Sequence, residues 1–310
     1  MAGKQLRLFP PANPLRERLG AEFFRRVPAE PGVYLMSGEA GRLLYVGQSV
    51  NLRARLRSYQ YLDPDRASRK TLRLVRAVRD VSWETVATPL EAQLRENALL
   101  RLHKPRFNVM NTRPEYYPFV AARGEEGRML LRVVMTPELE PGEQLFGAFK
   151  GLNGTRRALG AMRRLLWCLA HPGLPVTRSP GPLLDEIPRS TIMIGPVPAL
   201  GAALSEFILG FLGGRDARLL EWIAAQAPPA ESQGRFETAV WTQDLERVRT
   251  FHRFGPARNR ALRAGAEDRP AKIEQAELDD LLTIHRAMRK PEAGALGPEA
   301  SSPVIPEAGL

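Results

Sequence analysis

Two short runs of apolar and aromatic residues, Gly32-Val33-Tyr34-Leu35-Met36-Ser37 and Arg42-Leu43-Leu44-Tyr45-Val46-Gly47, flank the turn-forming stretch Gly38-Glu39-Ala40-Gly41. Two such runs about a four-residue turn predict an antiparallel hairpin. Pairing Ser37 with Arg42 places Tyr34 directly opposite Tyr45, with Cβ atoms roughly 5 Å apart on one face. The periodicity then becomes helical. Ser49 or Asn51 can cap a short helix on which Leu52 and Leu56 face a core, while Asn51, Arg55 and Tyr59 recur four residues apart along one stripe. A second helix is announced by Thr88-Pro89-Leu90-Glu91, a capping box with proline at the first helical position; it runs to about His103 and is stopped by Pro105. Further on, Met129 to Val134 has the pattern of a strand, a helix spans about Thr155 to Ala170, and the proline-rich residues 172–188 form a linker or an extended wrap. A buried helix is expected from about Ala199, another runs to about Ala227, and a weak one covers Ala271 to Arg289.

The second helix carries one residue out of character. Glu96 lies in the stripe formed by Ala92, Leu99 and Leu100. A buried carboxylate without a partner is costly, so it needs a cation or a metal ion. The alternative is an exposed ion pair with Arg95 or Arg101. Tyr45 and Tyr59 have alternatives too, as a strand aromatic packed on Tyr34 and a half-buried helix aromatic, and Asn108 as a loop residue satisfying backbone groups.

The set Gly32-Val33-Tyr34, Tyr45-Val46-Gly47, Arg55, Tyr59, Glu96 and Asn108 resembles, in order and spacing, the motif set of the GIY-YIG endonuclease family, and specifically its UvrC type. Glu96-Asn97-Ala98-Leu99-Leu100, Lys104-Pro105-Arg106-Phe107-Asn108-Val109 and Tyr117-Pro118-Phe119-Val120 favour the UvrC branch over the homing and restriction branches. The resemblance implies an α/β (α+β) fold in which a small antiparallel sheet is flanked by helices, followed by an α+β extension and a helical UVR-like hairpin. It implies hydrolysis of a DNA phosphodiester with Mg²⁺ or Mn²⁺ held by Glu96, Tyr34 as general base, Arg55 gripping a phosphate oxygen, and Tyr45 and Tyr59 positioning water or phosphate. Asn108 would hold the loop after the helix. A phenol has a pKa of about 10, so cations would have to lower it for Tyr34 to act as a base. Where UvrC-type domains usually have lysine, this chain has Gln48, which removes one such charge and implies a working site with a higher pH optimum.

Charge agrees with a nucleic-acid partner. Of the net +11, the window Arg42 to Arg113 holds +9, from 15 basic and 6 acidic residues. Arg53 and Arg57, then Arg69, Lys70, Arg73 and Arg76, recur at helical spacing and are candidates for a wall that grips the DNA backbone without sequence preference. No aromatic pattern of a single-strand binder interrupts them.

The remainder bounds the setting. The 310 residues have room for two domains. A lone cysteine, Cys168, excludes a disulfide framework and points to a cytoplasmic protein, and Met1 to Gly20 has no apolar core of a signal peptide. Many UvrC-type proteins carry four cysteines after the 155–170 helix, so an iron–sulfur or metal site is not expected here. His103, His171, His252 and His285 have no ligand spacing. The expected organisation is an N-terminal arm over 1–27, the nuclease domain over 28–112, the extension with its linker over 113–194, the helical region over 195–255, and a weak helix with a disordered tail over 256–310. In the helical region Phe236, Ala239, Val240 and Leu245 would form a seam, with Glu237, Asp244 and Glu246 outside. By resemblance this is the element through which the family contacts UvrB, and packing on its own domain is the alternative. With no room after residue 255 for a second nuclease centre, the chain is expected to resemble the short branch of the family, which incises 3′ of a bulky lesion on damaged duplex DNA loaded by UvrA and UvrB. A non-catalytic DNA-binding adaptor, or a structure-specific nuclease unlinked to UvrB, are the competing functions.

Overall fold

The computed structural model describes residues 14–63, 66–226, 234–263 and 272–289. It divides into two compact units: residues 1–113 together with 279–310, and residues 114–278. The first part of the expected N-terminal arm and the tail beyond 289 lie outside the described residues.

The first unit opens with helix α1 (Pro14–Arg26), so the second half of the expected arm is packed structure: Leu15, Phe23, Phe24 and Val27 are buried. Strands β1 (Gly32–Ser37) and β2 (Leu43–Ser49) follow, then α2 (Leu52–Gln60), α3 (Arg69–Ala77), β3 (Asp80–Thr85) and α4 (Pro89–His103). The cap chemistry in the sequence sets the helix starts. Asn51 accepts from the Ala54 amide, Ser68 from that of Thr71, and Thr88 from that of Glu91. Lys104, with φ of 44°, ends α4 before Pro105.

The antiparallel sheet has the order β2-β1-β3, which leaves β2 at an edge. Alternation along β1 divides the core. Tyr34 and Met36 face the cluster built from α1, α2 and α3, whereas Val33 packs with Val46, Leu99 and Leu100 on the α4 side.

The hairpin register differs from the expected one. Ser37 pairs with Leu43, not Arg42, because a one-turn 3₁₀ segment at Glu39–Gly41, with Ala40 and Gly41 in left-handed conformations, lengthens the turn. A bulge then leaves Leu44 unpaired, so Met36 faces Tyr45 and Tyr34 faces Gly47. The two shifts sum to two residues, which preserves the face on which each side chain lies.

The second unit is a four-stranded antiparallel sheet with helices. Its strands are β4 (Phe119–Glu125), β5 (Arg128–Val134), β6 (Gln144–Gly147) and β7 (Thr191–Ile194), in the order β6-β4-β5-β7. Helices α5 (Leu152–Ala170), α6 (Gly181–Leu184), α7 (Ala203–Leu212), α8 (Arg218–Ala225), α9 (Arg235–Phe254) and α10 (Pro256–Leu262) complete it. The proline-rich stretch wraps along α5: Arg163 donates to the Pro182 carbonyl, Arg164 to those of Leu183 and Asp185, and Arg156 to that of Pro188.

The expected α9 seam requires correction. Phe236 is 60% exposed, while Trp241, Asp244, Leu245 and Val248 are buried. Asp244 turns inward because Arg164 of α5 binds both its oxygens, at 2.7 and 2.8 Å. The helix therefore packs on its own unit through a seam centred about one turn later than expected. After residue 255 the expected helix is present in its second half as α11 (Leu278–Arg289), with Leu278 and Leu282 buried, and α10 is an additional helix before it.

Candidate active site

Tyr34 is fully buried, and its ring is admitted by a glycine. A Cβ on Gly47 would lie 2.5 Å from the Tyr34 ring, so only glycine lets the phenol cross the edge strand. Gly32 is constrained in the same way, by the Glu84 carbonyl at 2.3 Å from its would-be Cβ. The Tyr34 and Tyr59 hydroxyls are hydrogen-bonded at 3.2 Å, and Arg55 Nε donates to Tyr34 Oη at 3.1 Å. The other side of the Arg55 fork reaches the Tyr59 hydroxyl at 3.5 Å, with the guanidinium 5.3 Å from the Tyr59 ring centroid. The Tyr45 ring lies 6.0 Å from that of Tyr34. The two phenols therefore meet, diagonally rather than directly across the pair.

Glu96 arrives from the other side of the sheet, at the free edge of β2. That edge is covered group by group. The Phe107 amide donates to the Leu44 carbonyl at 3.0 Å, and Asn108 makes a reciprocal pair with the Val46 backbone at 2.9 and 2.8 Å. The next outward amide along that edge, that of Gln48, favours the charged form of the Glu96 carboxylate. The alternative partners of Glu96 are engaged elsewhere: Arg95 pairs with Glu84 at 3.0 Å and Arg101 with Asp280 at 2.8 Å.

The electrostatics are set by burial. Burial pushes the Glu96 carboxyl up to about 7, against the lowering effects of Arg55 and the Gln48 amide. Burial likewise raises the Tyr34 phenol well above 10, with the neighbouring tyrosines adding to it and Arg55 opposing. Tyr45 is raised for the same first reason. The lowering that a general base would require is not met in the resting protein: one guanidinium does not outweigh full burial, and Tyr34 is a neutral phenol. Arg55 is raised despite its burial, by the surrounding phenols, and it makes no ion pair among the described residues.

The fit to a hard divalent ion rests on the donors present. Glu96 is a half-buried carboxylate, and Gln48 Oε1 is buried without a hydrogen-bond partner. No group of three or more His, Cys, Asp or Glu is gathered among the described residues. One carboxylate, phenol and amide oxygens suit an ion that keeps most of its water, as Mg²⁺ does.

The basic candidates separate. Arg57, Arg69, Arg73 and Arg76 are exposed, the last three along one stripe of α3, whereas Lys70 is half-buried. Arg53 is turned inward, its Nε donating to the Val27 carbonyl at 2.7 Å, which ties α2 to the end of α1. Sequence reasoning missed the packing role of Gly47 and the buried Asn97; a glycine inside a strand pattern was the available signal for the first. Cys168 is a half-buried free thiol, pushed up to about 11 mainly by burial.

A small antiparallel sheet that holds a Tyr-Tyr-Arg cluster on one face and receives a carboxylate at its open edge defines a GIY-YIG domain. Residues 30–109 match the model of the UvrC-like GIY-YIG domain. The chain is 30% identical to UvrABC system protein C of Gemmatimonas aurantiaca over 235 residues, covering 72% of this chain and 37% of that protein. The Solibacter usitatus protein of the same name is 32% identical over 246 residues, covering 74% and 36%. Alignments of that length extend past the nuclease unit into residues 114–278. The chain thus spans little more than a third of these relatives. The N-terminal endonuclease domain of Thermotoga maritima UvrC, solved with magnesium, is 27% identical, with a TM-score of 0.26, covering 31% of this chain and 96% of that one. No helix among the described residues is long and apolar enough to cross a membrane.

Proposed function

We propose that the protein is a metal-dependent DNA endonuclease of nucleotide excision repair, which makes the 3′-side incision at bulky lesions in duplex DNA. The observation that carries this reading is the unneutralised Arg55 guanidinium, hydrogen-bonded to Tyr34 and to Tyr59, beside a carboxylate raised to about 7. A half-buried cation and a half-buried carboxylate, neither in an ion pair among the described residues, make a site left incomplete for an anion and a cation to fill together. A phosphodiester with a divalent ion supplies both.

In this reading Arg55 directs its remaining N–H groups to a non-bridging phosphate oxygen, and its planar fork is held in that orientation by Tyr34 and Tyr59. Tyr34, as a neutral phenol, accepts a hydrogen bond from the attacking water and orients it; outright proton abstraction would need the phenolate. Tyr45 and Tyr59 present hydroxyls to water or phosphate. Glu96 would hold Mg²⁺ or Mn²⁺, with Gln48 Oε1 as a further oxygen donor beside it. When bound, the ion acts as a Lewis acid toward the phosphate and lowers the pKa of its water. Asn108 is a positioning residue, since both ends of its amide are taken by Val46. Arg57, Arg69, Arg73 and Arg76 supply phosphate contacts.

The finer placement belongs to the same proposal: a cytoplasmic partner of UvrB, of the kind represented by Cho, the short UvrC homologue, with one nuclease site among the described residues. The length of similarity beyond the nuclease unit supports the UvrC setting. Nicking of a duplex bearing one bulky adduct, with Mg²⁺ and with or without UvrA and UvrB, tests it. A loader-dependent nick 3′ of the adduct, absent in Glu96→Ala, is expected. Equal nicking of undamaged branched DNA without the loader would favour a structure-specific nuclease, and binding without cutting would favour an adaptor.

A further inference from the structure

Helix α11 lies about 170 residues after the last nuclease motif and outside the matched domain, yet residues 279–289 belong to the same compact unit as the nuclease sheet. Its Asp280 receives both arms of the Arg101 fork, at 3.1 and 2.8 Å, and the Asn97 side-chain amide at 2.9 Å. Asn97 is 3% exposed, with Thr283 of α11 a further, longer acceptor at 3.4 Å. Its own carbonyl accepts from Asn111 at 3.1 Å. Asn111 lies on the loop that Asn108 ties to β2. One buried amide, next in sequence to Glu96, thus joins α4, α11 and the loop covering the β2 edge.

We propose that Asp280, acting through Asn97 and Arg101, is a positioning residue for the metal carboxylate Glu96, and that α11 is a working part of the nuclease unit. This rests on the reading of Glu96 given above. The geometric reason is the shared helix. Glu96 and Asn97 are consecutive residues of α4, so any roll of the helix that displaces Glu96 also pulls Asn97 from Asp280. A partly buried, bidentate charge-assisted contact resists such a roll in a way that the neighbouring leucine packing does not, because its bonds are directional. Carboxylates and amides that orient a metal ligand typically contribute about 10–100-fold in metal affinity.

The test uses the full chain and two readouts. Mn²⁺ and Mg²⁺ affinities are measured by calorimetry for wild type, Asp280→Ala, Asp280→Asn and Glu96→Gln, and amide hydrogen exchange at Gln48 is followed in the metal-free proteins. Asp280→Ala is expected to weaken Mn²⁺ binding about tenfold or more and to speed Gln48 exchange by a similar factor, while exchange at Leu35 in the central strand is unchanged. Asp280→Asn, which keeps an oxygen for Asn97, should recover part of both effects and decides the matter if the alanine variant does not fold. Wild-type Mn²⁺ affinity and Gln48 exchange in both folded Asp280 variants, or in Asp280→Asn alone, with Glu96→Gln unable to bind, would overturn this proposal alone. Retained Mn²⁺ binding in Glu96→Gln would overturn the reading of Glu96 on which it rests.

Discussion

Each unit withdraws an arginine from solvent, Arg164 fully and Arg55 in part, and the two are used in opposite ways. In the second unit Arg164 is closed: its fork binds both oxygens of Asp244, its remaining donors meet the carbonyls of Leu183 and Asp185, and the paired side chains are 6% and 2% exposed. In the first unit Arg55 is open: its neighbours are phenols, which satisfy hydrogen bonds without cancelling charge. A closed pair fixes structure, whereas an open cation costs desolvation and recovers it only when an anion binds. That contrast separates a structural arginine from one available to a ligand.

The comparison breaks most visibly by substitution. Asp244→Ala leaves Arg164 buried and unpaired and should cost about 3–5 kcal/mol in urea unfolding. Arg55→Met, by contrast, removes a half-buried charge that has no counter-ion among the described residues; its stability should stay within about 1 kcal/mol of wild type while nicking falls roughly 10²–10³-fold. Equal destabilisation by the two would erase the distinction. Next in size, Glu96→Gln tests the open site through pH. Glu96 has an ordinary value of 4.5 and a folded value of about 7, so the folded protein binds more protons between these values. Its contribution to stability is therefore greatest below 4.5, declines as pH rises toward 7, and is level above. In metal-free protein at pH 8 the glutamine variant should be more stable by about 3 kcal/mol, with that decline abolished. A variant with the same pH profile as wild type would contradict the shift.

Gly47→Ala should cost about 1–3 kcal/mol, because the added methyl meets the Tyr34 ring, and should reduce nicking by displacing Tyr34 from Arg55. Calorimetric melting together with a nicking assay checks both halves. The smallest effect is expected from Gln48→Lys. A cation beside Glu96 should move the acidic limb of the pH–rate profile down by less than about one pH unit, with less than about a tenfold change in maximum rate.

Legibility in the sequence followed the range of the interactions. Helix starts at Asn51, Ser68 and Thr88 depend on residues three apart, and the two that were read from the sequence, near Asn51 and at Thr88-Pro89, stand where expected. The meeting of Tyr34 and Tyr45 also survived a register error, because a two-residue shift returns every side chain to its own face. The bulge at Leu44, which with the 3₁₀ turn before it caused the error, has no local signature. The α9 seam was misplaced because the residue that draws Asp244 inward lies 80 positions earlier, and the clamp of Asp280 on Asn97 spans 183. The raised pKa of Tyr34 was not legible for a related reason: nearby cations can be counted in a sequence, whereas the depth of burial that outweighs them is a property of the packed domain.

The most direct measurement is the rate of Mg²⁺-dependent nicking of adducted duplex DNA by wild type, Glu96→Gln and Arg55→Met, with DNA affinity and folded fraction measured on the same preparations. Nicking by wild type that both substitutions reduce by at least about 10²-fold, with DNA binding and folding retained, is the result expected if Arg55 and Glu96 are the open charges of one catalytic site. Nicking that survives in both variants at the wild-type rate would place the chemistry elsewhere and contradict the account.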